Sequence, residues 1–366
     1  MLGMKDSFAI KNRGAISNLE GRFEITTSEN FDDGWVREED LLPPLETFLM
    51  PEASKSIISR NDSPDLGFEQ SINPYRGCEH GCIYCYARPS HAYMNLSPGL
   101  DFETKIFYKM DAAKLLVREL NKPGYTCKPI VLGANTDPYQ PAESKLKITR
   151  NILGVLREHQ HPVIIITKNS LIERDADILS DMAKDDLVRI AVSITSLSTK
   201  LKYIMEPRTS SPSARLRIVK HFSEKNIPVR VMLAPIIPMV NDVEMERILQ
   251  AACQAGAQYA SYVLIRLPHE VKDLFKEWLA THFPQRAEHI MSLIRQMRGG
   301  KEYDSTFGKR MRGEGEFANL IEKRFRLACK RFNLNIKLSP ELDVQKFKKI
   351  AKDAAHKQLS LWDDEF

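Results

Sequence analysis

Residues 76–89, RGCEHGCIYCYARP, place three of the chain's six cysteines, Cys78, Cys82 and Cys85, within eight positions. Three thiolates at C-x3-C-x2-C spacing fall one short of a closed four-ligand metal site. They suffice to hold three irons of a cubane [4Fe-4S] cluster, leaving the fourth iron with an open coordination position for chemistry. A zinc site completed by His80 or His91 uses the same donors, and the residue types alone leave both readings open. Cys127, Cys253 and Cys329 stand apart in sequence and read as buried, inert thiols.

A reactive loop needs rigid elements to hold it. From about residue 70 the chain alternates apolar, β-branched runs with helix-period stretches. The runs are SINPYRG, PIVLGAN, PVIIIT, LVRIAVSIT, PVRVMLAP and YASYVLIR. Between them lie SKLKITRNILGVLREH, ERDADILSDMAKD, SPSARLRIVKHFSEKN and NDVEMERILQAACQAGA, each apolar on one helical face and charged on the other. Crossovers long enough to hold a helix imply parallel strands, in a partial (β/α)6 barrel or an open doubly wound sheet. The cysteines directly follow the first predicted strand, on the end of the sheet where both architectures place their chemistry.

The flanks read differently. Residues 1–64 are polar and aperiodic, an irregular N-terminal arm. The barrel is assigned to 65–268, a basic helical extension to 269–340, and a C-terminal helix and tail to 341–366, with Val344, Phe347, Ile350 and Ala354 on one helical face. The composition, 43% hydrophobic and 28% charged over 366 residues, is that of a globular chain able to bury a core. No apolar stretch reaches the roughly 20 residues that span a bilayer, and the N-terminus lacks a secretory h-region. The expectation is a cytoplasmic protein with no membrane partner. In a reducing compartment, metal ligation is favoured over disulfides.

The motif C-x3-C-x-aromatic-C, with Tyr84 before the last cysteine, resembles the cluster motif of radical S-adenosylmethionine (SAM) enzymes. SINPYRGCEHGCIYCYARP and NTDPYQPAE look like the spore-photoproduct-lyase-like branch, within an uncharacterised bacterial group. The resemblance covers about residues 70–265 and implies the partial barrel, a [4Fe-4S] cluster on Cys78, Cys82 and Cys85, and SAM as cofactor. It further implies SAM contacts from Tyr84, Asn135, Thr136, Lys168 and Ser193, and a low-potential electron donor of flavodoxin or ferredoxin type. Glu206 and Arg208, before a predicted helix start, are candidates for the substrate side. One departure stands out. Where spore photoproduct lyases carry a hydrogen-donor cysteine, this chain has Ala134, so a different donor or a different reaction is required.

Two features bear on the substrate. Residues 295–332 hold eleven Lys/Arg against five acidic residues, interleaved with Tyr303, Phe307 and Phe317, parts suited to gripping phosphates and stacking bases of DNA or RNA. The tail QLSLW, Gln358 to Trp362, resembles the short motif that binds bacterial sliding clamps. The sequence therefore reads as a radical SAM enzyme of lyase type acting on nucleic acid, with DNA-lesion repair in front. Radical SAM modification of RNA or protein is one alternative. A non-catalytic, metal-bearing nucleic-acid-binding module is the other.

Overall fold

The computed structural model describes residues 10–23 and 45–350. The six predicted runs all contain strands: β1 (Gln70–Ile72), β2 (Ile130–Leu132), β3 (Val163–Thr167), β4 (Val188–Ser193), β5 (Val229–Ile236) and β6 (Tyr259–Leu264). They lie side by side in sequential order and all run parallel, with Ile58–Arg60 added antiparallel beyond β1 to complete seven strands. Each crossover holds one of the helices α1 (Ala112–Leu120), α2 (Ile148–Glu158), α3 (Ala176–Ala183), α4 (Pro212–Ser223) and α5 (Met245–Gln254). Strand order never reverses, and a doubly wound sheet requires a reversal. Right-handed crossovers in one direction keep their helices on one face, and α1 packs on α2 and α2 on α3 accordingly. The architecture is a parallel sheet with the strand order of a partial barrel.

Local chemistry explains the boundaries. In β3 buried residues alternate with half-buried ones, the period-2 pattern of a strand with unequal faces. Helix α2 buries Ile148, Ile152, Leu153, Val155 and Leu156 along one stripe. Pro212 opens α4 at a position where its missing N–H costs nothing, and the Ser211 hydroxyl accepts from the Ala214 amide. The run SINPYRG is two pieces rather than one strand. After β1 the chain leaves the main sheet, and Tyr75–Arg76 joins Lys105–Tyr108 and Phe48–Pro51 in a separate three-stranded sheet. That departure swings the cysteine loop over the end of the main sheet.

Helices α6 (Val271–His282) and α7 (Ala287–Gln296) follow β6, and α8 (Gly315–Arg331) packs against α5. The helix expected from residue 341 is absent through residue 350, where the described chain ends. Residues 335–350 instead form an extended strap beneath the sheet. The Asn335 amide donates to the Gln258 carbonyl, Asp343 to Asp186 and Lys348 to His159, so the strap visits the loops entering β6, β4 and β3 in turn. Phe347 packs on the rings of Tyr125, His159 and His161. Phe347 and the buried Leu342 cover the N-terminal end of the sheet, opposite the cysteines, while Ile336, Leu338 and Val344 are exposed. Ala354 and the Gln358–Trp362 motif lie outside the described residues.

This lower end carries a pH dependence. His161 is fully buried, and burial pushes it down to about 4. Its Nδ1 lies 3.0 Å from the Pro162 carbonyl and its Nε2 2.7 Å from the Tyr125 hydroxyl, which also donates to Gln70, so both ring nitrogens have a polar neighbour. The unfolded chain titrates near 6.5 and binds more protons between these values, so stability falls as pH drops from about 6.5 to 4. This residue contributes about 3 kcal/mol of that loss. Urea midpoints measured across this range should flatten in His161→Gln; an unchanged slope would remove His161 as the source.

Candidate active site

The cysteine loop is held on three sides. Beneath it, the Cys78 amide donates to the Phe102 carbonyl and the Glu79 amide to Gln140 Oε1, while Gln140 Nε2 returns to the Gly77 carbonyl. On one flank the segment before α4 docks against it. Ile83 donates to the Met205 carbonyl, Arg208 to the His80 carbonyl, and the Arg208 guanidinium pairs with Glu79 at 2.9 Å. On the other flank, fully buried Arg88 donates to the Cys82 carbonyl at 2.9 Å and pairs with fully buried Glu103 at 2.5 Å.

Glu103 also ties the N-terminal arm to the loop, accepting from the amides of Gly14 and Ala15 at 3.0 and 2.8 Å. The approach is so close that a Cβ on Gly14 would lie 1.7 Å from the Gly81 carbonyl oxygen, and Gly81 itself has a φ of +66°. Gly14→Ala should therefore lift the arm and cost about 1–3 kcal/mol, read as a lower unfolding midpoint with faster proteolytic cleavage near residue 14. Unchanged cleavage would show that the arm adapts.

Cys78 and Cys82 are buried and Cys85 partly so. Burial pushes the Cys82 thiol up to about 12 and Cys78 well above its ordinary value. Without a cation these sulfurs stay protonated; a bound metal would draw the protons off. Among the described residues no three His, Cys, Asp or Glu side chains converge on a single metal position. A zinc ion needs that convergence, whereas the sulfurs of a cubane bind three different irons. His80 is also committed. Burial pushes it down to about 4, Asn169 donates to its Nε2 at 3.1 Å, and its Nδ1 lies 3.4 Å from Asp137. The donor set fits an iron–sulfur cluster.

The strand ends around the cysteines bring together most of the expected contacts. Asp137 fastens β2 to β3, accepting from the Thr167 hydroxyl at 2.8 Å and the Lys168 amide at 2.7 Å. Lys168, just past β3, is held close to Cys82 and Glu206 in electrostatic range. Burial pulls its pKa down, while Cys82 when ionised, Glu206 and Asp137 push it up, and the net shift is upward. The Thr136 hydroxyl is buried and donates to the Tyr75 carbonyl at 2.8 Å. The Ser193 hydroxyl, also buried, donates to the Ala234 carbonyl at 3.3 Å. Asn135 is exposed, with its amide on the Asn73 side chain.

Tyr84 and Glu206 meet in a pairing that the sequence did not announce. The Tyr84 hydroxyl donates to the Glu206 carboxylate, which also pairs with Arg215 of α4. All three are buried. Burial alone would raise the Glu206 carboxyl, but Arg215 and Lys168 hold it down at about 2. Arg215 continues to the carbonyls of Ser193 and Ser210, both at 3.0 Å. Glu206 is thus a buried brace beneath the site, and Arg208 a clamp on the cysteine loop, rather than free charges at its rim. Tyr86, one residue beyond Cys85, is 40% exposed and donates its hydroxyl to the Ala134 carbonyl. The guanidinium of Arg266, past the end of β6, stacks over its ring at 4.8 Å.

The model of the radical SAM superfamily matches residues 72–252, and this chain belongs to that superfamily, whose members are enzymes that use a [4Fe-4S] cluster and SAM. An uncharacterized protein of Mycobacterium tuberculosis is 33% identical over 233 residues, covering 63% of this chain and 68% of its own. An uncharacterized protein of Methanocaldococcus jannaschii is 27% identical over 228 residues, covering 61% and 80%. Spore photoproduct lyase complexed with dinucleoside spore photoproduct superposes with a TM-score of 0.55 at 17% identity, over 78% of this chain and 79% of the lyase. That likeness shows a shared fold.

Proposed function

We propose that this chain cleaves SAM reductively at a cluster held by Cys78, Cys82 and Cys85 and acts on nucleic acid, in a reaction of DNA-lesion-repair type. The observation that carries this reading is the three-cysteine loop fixed over the sheet end, with Lys168 anchored beside it through Asp137. When bound, the cluster and SAM supply reductive cleavage to methionine and a 5′-deoxyadenosyl radical that takes hydrogen from substrate. The protein's part is orientation and water exclusion. Lys168 offers its charge to the SAM carboxylate, Tyr84 a wall for the adenine, and Asn135, Thr136 and Ser193 line the approach. The electron comes from a low-potential flavodoxin- or ferredoxin-type donor.

Two predictions test the assignments. Lys168→Ala should raise the KM for SAM by about tenfold or more, the loss of one charge-assisted hydrogen bond of roughly 1.5–3 kcal/mol; an unchanged KM would place the carboxylate elsewhere. For the hydrogen returned to product, Ala134 removes the cysteine route. Tyr86, with its hydroxyl on the Ala134 carbonyl, is an oxidisable group at that position. Tyr86→Phe should keep 5′-deoxyadenosine formation while losing product.

The function itself is tested by incubating reconstituted, reduced protein and SAM with ultraviolet-irradiated DNA, with RNA and with peptide, then analysing products. A lesion reverted in DNA supports the repair reading. Change confined to RNA or peptide would replace it, and binding without SAM turnover would leave a non-catalytic module.

A further inference from the structure

The basic segment 295–332 divides in the structure. Arg295, Lys309, Arg310 and Arg324 are neutralised by Glu302, Glu314, Asp65 and Glu246. Arg298 is buried, donating to the carbonyls of Ile265 and Lys309. Phe317 packs against the core and is not free to stack. Six cations remain, of which Lys301, Lys323 and Arg331 lie outside the site where the other three gather. Arg312, Arg326 and Lys330 line one cavity of about 490 Å³ along the outer edge of β6, against a single carboxylate, Glu322. None of the three forms an ion pair among the described residues.

The cavity has a built floor. Arg312 lies 4.0 Å above the Tyr262 ring, which in turn meets Phe325 at 4.7 Å. The strand edge here is left open between two caps. The Asn335 side chain takes both the amide and the carbonyl of Ala260, at 2.9 and 3.0 Å, and Arg298 takes the Leu264 carbonyl. By strand alternation Tyr262, between them, points its backbone groups the same outward way. A relay of side-chain contacts runs from beside Arg312 to the residue after Cys85. Met311, next to Arg312, contacts Arg266, and Arg266 stacks on Tyr86.

We infer that this groove holds the phosphodiester backbone of a nucleic-acid strand flanking the reacting nucleotide, with Arg312, Arg326 and Lys330 as phosphate ligands and Tyr262 as the platform beneath them. The inference rests on the nucleic-acid reading above. Charge complementarity selects a polyanion, and three unpaired cations along one groove select a strand carrying several phosphates over a free phosphate.

The test is fluorescence anisotropy of a labelled single-stranded oligonucleotide over a salt series, using the reconstituted full chain. Arg326→Ala/Lys330→Ala should bind about tenfold more weakly or worse, with the log–log salt slope reduced by about 1.4, roughly 0.7 for each phosphate ligand removed from a single strand. Lys184→Ala/Lys225→Ala, at the C-terminal ends of α3 and α4 and outside the residues that line the groove, removes the same charge and should change the slope little. SAM cleavage without oligonucleotide should be equal in all three proteins. If the wild type binds with salt dependence and the two variants weaken alike, the groove assignment fails and the nucleic-acid reading survives. If the wild type shows no salt-dependent binding, both fall.

Discussion

Cys82→Ala protein, reconstituted anaerobically with iron and sulfide, should fold normally and form no 5′-deoxyadenosine from SAM under dithionite. The backbone at this position is held without the sulfur. Arg88 fixes the Cys82 carbonyl and the Cys85 amide donates to it, while Ile83 is pinned to Met205. Loss of one buried sulfur atom should therefore cost only about 1–2 kcal/mol of stability, seen as a small shift in urea midpoint. In the proposed assignment the thiol is one of three cluster ligands, and among the described residues no spare set of donors converges on a metal position, so the chemical loss is complete. Iron and sulfide content should fall with the activity. Turnover persisting at the wild-type level would remove the cluster from Cys82. Stoichiometric zinc with no iron in wild-type protein would revive the zinc alternative.

The parts of this molecule that sequence made legible are those whose signal is local. Strand runs such as PVIIIT carry their own period, and the cysteine spacing encodes its ligand count in eight residues. The strap at 335–350 misled because Val344, Phe347 and Ile350 repeat at helical intervals, yet the backbone there is drawn into bonds with His159 and Asn121. A period records which residues are apolar, and tertiary partners decide the conformation. The braces were hidden for a related reason. Arg215 sits in SPSARLRIVKHFSEKN as one more charge of an amphipathic helix, and only its pairing with Glu206 shows that it faces inward. Likewise Arg310 and Arg324 spend their charge on Asp65 and Glu246, far away in sequence, so a local excess of cations overstated what is free to bind phosphate.

Glu206→Ala should destabilise the fold by about 3–5 kcal/mol, the usual cost of stripping one partner from a buried ion pair. The substitution strands the Arg215 guanidinium and the Tyr84 hydroxyl together, both buried. That is a large part of the roughly 5–15 kcal/mol that holds a typical domain folded. Glu206→Gln keeps an acceptor for Tyr84 and should lose less. Replacing Arg215 as well, by methionine, should recover part of the loss, because the stranded charge goes with it; a double-mutant cycle measures that coupling. The effect should reach the cluster too. On either side of Glu206, the Met205 carbonyl accepts from Ile83 and the Arg208 amide donates to His80, so weakening this corner loosens the loop that carries Cys82. Glu206→Ala should then load less iron than Glu206→Gln at equal protein concentration. A stability within about 0.5 kcal/mol of wild type would mean that water replaces the carboxylate, and the brace would lose its role in holding the site.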